Sequence, residues 1–257
     1  MIKTPAIIKG LPVMTALLVL STGTAFAKPV DETADTWKFS LAPFLWAMNI
    51  NGSSRIGTTT SALNLDFKDD LLNNLDNALM VHFEAAKGRT SLFAEYQYSK
   101  LKPEEVLANG ATANADYKNI LGELGVGYTI NGLSSDATLQ IIGGARYYSQ
   151  ELDAGLASGP TLVHVDESWW DAFLGGRVFL PLAEKWQLVI RGDGATGGSN
   201  ETWQAAGYFN WRFNDWGSLL FGYRYMNINY DNDKQGNERY SYDADQQGPL
   251  LGVNFYW

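Results

Sequence analysis

The sequence predicts an all-β chain: a transmembrane antiparallel up-and-down β-barrel of about ten strands, with eight or twelve as the alternatives. Three observations predict it. Apolar and polar residues alternate over many successive segments, the pattern of strands with one apolar face. The chain carries 13 Tyr, 12 Phe and 9 Trp, more aromatic surface than one soluble acidic core needs. It ends GPLLGVNFYW (248–257), with Leu251, Val253, Phe255 and Trp257 at every second place, where a chain end is ordinarily polar and mobile.

Residues 1–27 read as an export leader. Lys3 and Lys9 make a basic start, LPVMTALLVL is a short apolar run, and Ala25-Phe26-Ala27 supplies the small residues of a cleavage site. Ser21, Thr22 and Gly23 break that run well short of the roughly 20 residues of a spanning helix. Residues 28–36 then form a periplasmic tail and 37–257 the barrel. The formal charge of −9 becomes more negative once the two leader lysines leave. That balance excludes nucleic acid as a partner, since phosphate binding needs clustered Lys and Arg. The chain has no cysteine, which removes disulfides, thiolate metal sites and cysteine nucleophiles. No motif asks for a cofactor.

Ten segments alternate: Trp37–Met48, Ala78–Lys87, Ser91–Lys100, Tyr117–Ile130, Ala137–Gln150, Ser168–Leu180, Trp186–Gly194, Thr202–Phe213, Leu219–Tyr230 and Arg239–Trp257. In each, one parity class is apolar or aromatic and the other mixed. A soluble barrel turns its apolar class inward. Here that class carries Trp186, Trp203, Tyr225 and Trp257 near strand ends, as the interfacial girdles of a membrane barrel do, so it is assigned to lipid. The connections KGR (87–89), NGLSSD (131–136), LAEK (182–185) and FND (213–215) are tight. Those at 49–76, 101–116, 151–167, 195–201 and 231–238 are mostly longer and rich in Asp, Asn, Gly and Ser. Short periplasmic turns alternating with external loops put both termini on the periplasmic side. TTTSALNLDF (58–67) is assigned to an external hairpin arm, because a crossing there would put the long loops on the wrong face. The last strand then pairs with the first, and closure removes the edge that hydrocarbon cannot tolerate.

By parity the lumen holds Lys38, Arg146, Arg177, Arg191, Arg212 and Arg224 against Glu84, Glu95, Glu123, Asp171 and Asp193. Burying such charges is costly unless they are paired. Two readings follow: a salt-bridged plug, or a charged constriction that selects solutes. Of two histidines, His82 is placed inward. If Gly88-Arg89 is a two-residue turn, Lys87 pairs with Thr90, and counting back sets His82 opposite Glu95 with Glu84 nearby. A His–carboxylate pair is the orienting half of a hydrolase triad, for which Ser40, Ser91 and Ser99 are parity-compatible nucleophiles. The alternative is a lumenal histidine satisfied by Glu95. His164, in TLVHVDE, is expected in a solvated loop. DNDKQG (231–236) opens like a calcium loop but has Gln235 and Tyr242 where ligands are needed, and no metal site is expected.

The ending GPLLGVNFYW resembles the terminal signal that the barrel-assembly machinery recognises in bacterial outer-membrane barrels. The stretches FNDWGSLLFGYRYMNINYD, GGARYYSQELD and FKDDLLNNLDNALMVHFEAAKGRTSLFAEYQY are similar to small outer-membrane β-barrel proteins of Gram-negative bacteria, loosely the OmpA-like and OmpW-like barrels. The resemblance covers about Trp37 to Trp257. It implies the cell outer membrane, with outer-membrane lipid and lipopolysaccharide as surroundings and the assembly machinery as a transient partner. It brings no catalytic motif. Three functions stay open: a narrow pore for a small solute, a closed barrel presenting acidic external loops, and a lipid hydrolase.

Overall fold

A computed structural model describes residues 35–130, 137–157 and 159–257. The leader at 1–27 and the turn at 131–136 lie outside the described residues. The strands are β1 (Lys38–Trp46), β2 (Asn49–Ile56), β3 (Thr59–Leu65), β4 (Leu75–Lys87), β5 (Thr90–Leu101), β6 (Glu104–Val106), β7 (Thr112–Ile130), β8 (Thr138–Leu156), β9 (Thr161–Ala183), β10 (Trp186–Gly197), β11 (Glu201–Asn214), β12 (Gly217–Asp231) and β13 (Tyr240–Tyr256). A single π-helical turn, Phe67–Leu72, separates β3 from β4.

Ten of these strands close a barrel in the order β1, β4, β5, β7, β8, β9, β10, β11, β12, β13 and back to β1. Every pairing is antiparallel. Closure runs from Ser40 opposite Tyr256 to Trp46 opposite Leu250. Trp257 extends it, since its carbonyl accepts from Phe39 N–H at 2.9 Å and its own N–H donates back at 3.1 Å. The terminal residue is therefore held by the first strand.

The segment at 58–67 is an arm and not a crossing. β3 pairs only with β2, from Ile50 opposite Leu65 to Ile56 opposite Thr59, while β2 continues the first strand along β13. The stretch 37–48 thus ends earlier than expected, because the chain breaks at Ala47 and Met48 before β2 resumes.

Two of the expected loops are strand instead. β7 begins at Thr112, β8 runs to Leu156 and β9 starts at Thr161, so most of 101–116 and 151–167 belongs to the ladders. The physical reason is that an antiparallel ladder needs no lipid. Above the bilayer it continues with polar residues outward, and a search for apolar alternation stops where the outward class turns charged. Those outward charges pair across strands: Lys100–Asp116 at 2.8 Å and Lys118–Glu151 at 2.7 Å.

The outer wall is apolar between two aromatic levels. Leu124 is 61% and Leu174 69% exposed, within a band of exposed Leu, Ile, Val and aromatic side chains that includes Leu79, Val126, Ile141, Ile190 and Leu251, a larger apolar surface than a protein in water ordinarily presents. One level carries Trp186 with Trp211, Trp216 with Phe255 and Trp257 with Phe39. The other carries Tyr147 with Trp170 and Trp203 with Tyr225. Trp203 and Trp211 share β11; at about 3.4 Å per residue they lie ~27 Å apart along the strand. With a tilt of about 40° that is ~20 Å along the membrane normal, of the order of the ~25 Å apolar band of such barrels.

Candidate functional site in the barrel lumen

Strand alternation aims one residue in two at the axis, and on seven strands the inward place at mid-height is ionic. Glu123 of β7 accepts from Arg146 Nε at 2.7 Å, from Arg191 Nη2 at 2.9 Å and from Gln204 Nε2 at 3.1 Å. Asp193 of β10 accepts from Arg146 Nη2 at 2.6 Å and Arg191 Nε at 2.7 Å. The side chains of Arg146, Glu123 and Asp193 have no exposure at all. Arg177 of β9 grips Glu84 of β4 with two nitrogens, at 2.9 and 3.0 Å. Arg224 of β12 donates to Glu95 of β5 at 2.7 Å. Four arginines thus meet four carboxylates and cancel, which is what burial in a narrow lumen demands.

Aromatic faces fill the space between these groups. Arg177 lies 4.8 Å from the Phe93 ring, Arg146 5.2 Å from Phe173, and Arg224 4.8 Å from Trp46. Cation–π contact of this kind offsets part of the lost hydration. Arg146 Nη1 and Arg224 Nε and Nη2 are buried without a hydrogen-bond partner.

The turn at Gly88-Arg89 sets the register expected of it: Lys87 faces Thr90 and His82 faces Glu95. His82 Nδ1 is 3.1 Å from Glu95, Nε2 is 3.6 Å from Glu84, and the ring stacks on Phe93. Both ring nitrogens are therefore turned to carboxylates. Ser91 Oγ accepts from Gln140 at 3.0 Å and Arg177 at 3.3 Å, Ser40 sits opposite Glu84 across the β1–β4 ladder, and Ser99 lines an apolar cavity higher up. None of the three is brought into hydrogen-bond contact with His82.

The other predicted lumenal residues stand apart from this network. Asp171 is buried but accepts from Ser199 N–H at 2.8 Å and Ser199 Oγ at 2.7 Å, which fastens the bend between β10 and β11. Arg212, at the other end of β11, caps the β11–β12 turn through the carbonyls of Asn214 and Asp215 and lies over Tyr256. Lys38 is exposed at the start of β1. Leu251, Val253, Phe255 and Trp257 share the outward face of the closing strand, Leu251 being opposite Leu45 and Phe255 opposite Leu41.

Above the ions the lumen becomes apolar, a feature the charge parity did not reveal. Trp46, Met80, Leu121, Tyr148, Trp169, Met226, Ile228, Tyr230, Tyr240 and Tyr242 form one buried cluster, with Tyr230 stacked on Trp169 at 3.8 Å. Except for Tyr240 and Tyr242 on β13, their parity is that of the charges lower on the same strands, the signal that could have found them. The vault is closed toward its outer end by Tyr230 and Asn232 donating to Glu167 at 2.9 and 2.7 Å.

His164 is placed on β9 and not in a loop. It is exposed on the outward face, and its Nδ1 is 2.7 Å from Asp153 of β8. The hydrogen bond to Asp153 holds its pKa above the ordinary histidine value. Among the described residues, no group of three or more His, Cys, Asp or Glu is arranged to hold a metal.

The outer membrane protease OmpT of Escherichia coli superposes with a TM-score of 0.52 at 8% identity, over 91% of this chain and 99% of that one. The fold is that of the bacterial outer-membrane barrels. At such identity the likeness extends to the fold and not to proteolysis. The transport unit of the autotransporter AIDA-I from Escherichia coli (TM-score 0.43, 8% identity, 90% of this chain and 93% of that one) also matches. So does the translocator domain of the autotransporter NalP from Neisseria meningitidis (0.41, 13%, 87% and 90%). No protein-family model matches the sequence, and no curated protein matches it.

Proposed function

We propose that this outer-membrane barrel is closed and non-conducting, and acts through its walls and extracellular rim rather than through its lumen. The observation that carries the reading is the ionic ladder of Arg146, Glu123, Arg191 and Asp193, buried across the axis beneath an apolar vault. A permeating ion would have to part charges 2.6 to 2.9 Å from one another and then cross a packed layer in which the Tyr240 and Tyr242 hydroxyls are already bonded to Gln150 and Gln246. Interiors of eight- to ten-strand barrels are ordinarily filled in this way.

The reading is also non-catalytic. His82 is engaged by two carboxylates, and Ser91 accepts from Gln140 and Arg177. Outer-leaflet lipid and lipopolysaccharide would be met by the apolar wall and by the charged pairs Lys100–Asp116, Lys118–Glu151 and His164–Asp153 above it.

The test is planar-bilayer conductance of the refolded chain, with Glu123→Ala and Arg146→Ala alongside. The wild-type barrel should be silent. Stable wild-type steps whose ion preference changes in either variant would replace this reading with that of a charge-lined pore.

A further inference from the structure

The barrel is not sealed evenly, and a loose seam between β1 and β4 meets lipid. β1 is hydrogen-bonded to β4 only from Lys38 opposite Ala86 to Pro43 opposite Val81. On its other edge it stays paired to β13 as far as Trp46 opposite Leu250. Pro43 itself is turned to β13, as the Phe39 and Ala47 donors are, and having no N–H it leaves Ala42 and Pro43 unpaired on that side. Beyond Pro43, β1 and β4 part. The next free donor shows the consequence: Trp46 N–H finds no carbonyl on β4 and donates to the thioether of Met80 at 3.3 Å. A sulfur is a weak acceptor, and inside a membrane a backbone donor without a carbonyl partner is an exception to the rule of full satisfaction.

Behind the seam lies a cavity of ≈ 40 Å³. Trp46, Met48 and Ile50 bound it on one side and Ala78 and Met80 on the other, with Leu71 of the π-helical turn overhead. By the measure in which one water needs about 10–15 Å³, it holds on the order of three water-sized or methylene-sized groups. Ser99, Asn119 and Gln246 also reach it, but most of its lining is apolar, which favours a dry space. Leu45 also lines it, and Leu45 is 46% exposed on the outer wall. The cavity is therefore continuous with the lipid-facing surface. Its lower end, at Leu45, is inside the apolar band, because Leu45 faces Leu251 and Leu251 faces Phe221, with Tyr223 and Tyr225 still above on β12; Leu101 and Tyr117 carry its upper end beside the Lys100–Asp116 pair.

We propose that this seam is a lateral binding site for a membrane lipid, which inserts the last few carbons of one acyl chain between β1 and β4 against Trp46. The occupant is identified by chemistry and access. The space is narrow and mostly apolar, and it borders the hydrocarbon of the outer leaflet. Met80 and Met48, unbranched and adaptable, line the place where the chain end would move. The site does not depend on whether the lumen conducts.

The experiment uses the full barrel in vesicles of phosphatidylcholine with acyl chains dibrominated at mid-chain, compared with unbrominated vesicles. Bromine quenches indole emission at contact range. The Trp46 contribution is obtained by subtracting the Trp46→Phe spectrum, and folding of each variant is verified by heat-modifiable migration on a gel. Trp46 faces inward and is 1% exposed, yet it should lose most of its emission in brominated lipid, and Ala78→Leu, which fills the cavity, should restore it. An unquenched Trp46, or quenching that Ala78→Leu leaves unchanged, overturns the proposal.

A second measurement covers failure of Trp46→Phe to fold. The chain has no cysteine, so Ala78→Cys places a single thiol in the cavity. Its thiolate should displace sulfinate from a membrane-dissolved alkyl methanethiosulfonate to form a mixed disulfide, and should be inert to a trimethylammonium analogue in the outer water. Labelling by the charged reagent, or by neither, overturns the proposal.

Discussion

Replacing Glu123 by Gln keeps the shape of the side chain and removes its charge. Glu123 has no exposure and receives Arg146 at 2.7 Å, Arg191 at 2.9 Å and Gln204 at 3.1 Å. The substitution leaves two buried guanidinium groups to share Asp193 as their nearest remaining carboxylate. Each lost charge pair is worth about 4 kcal/mol at an effective dielectric of about 20, set against the desolvation that the lost carboxylate no longer suffers. Breaking a buried pair on one side costs a net ~3–5 kcal/mol in measured cases. Urea unfolding in phosphatidylcholine vesicles, followed by tryptophan emission, should show it. At a slope of about 2 kcal/mol per molar, a loss of ~4 kcal/mol moves the midpoint down by about 2 M. The double variant Glu123→Leu with Arg146→Met removes both partners of one pair, and should lose clearly less than the two single changes summed. A midpoint within about 0.5 M of wild type at unchanged slope, or strict additivity in the double variant, would refute the claim that these ions hold one another in the lumen.

Two further outcomes follow from local geometry. The His164 imidazole, monitored by NMR, should titrate above its ordinary value, and Asp153→Asn should lower it toward that value, with Asp166 and Glu151 left to hold the remainder. Because the folded value is the raised one, the pair's contribution is fully present below the unfolded pKa of about 6.5 and disappears as pH rises through the folded value. Gly144→Ala should destabilise the barrel by about 1–3 kcal/mol, since a Cβ there would sit 2.0 Å from the Leu124 carbonyl oxygen on β7. Gly194→Ala, whose Cβ would meet nothing within 4 Å, should be close to neutral in the same unfolding assay.

Alternation carries much of this architecture in the sequence because lipid outside and side chains inside impose a period of two on every spanning strand. The two-residue turn at Gly88-Arg89 went further and set a register, which is why His82 could be placed opposite Glu95 by counting. Parity says which side a residue faces, but not its partner around the ring. Arg146 shows the limit: Glu123 and Asp171 are both its direct neighbours, across the β7–β8 and β8–β9 ladders, yet it pairs with Glu123 and with the more distant Asp193 while Asp171 is held by Ser199. Height is lost in the same way, so the charges drew attention while Met80, Tyr148, Trp169 and Met226, of like parity, went unassigned as an apolar vault.

The seam has a different cause again. It depends on where β1 leaves β4, after Pro43 opposite Val81, while it is still paired to β13 at Phe44, Leu45 and Trp46. A strand that loses one neighbour and keeps the other leaves Trp46 N–H to a sulfur and apolar side chains to a gap. In a soluble barrel water would satisfy that donor, and the apolar lining would favour closing the gap. Within a bilayer the surrounding medium is itself hydrocarbon, so the least costly way to fill an apolar gap in the wall is with the solvent already there.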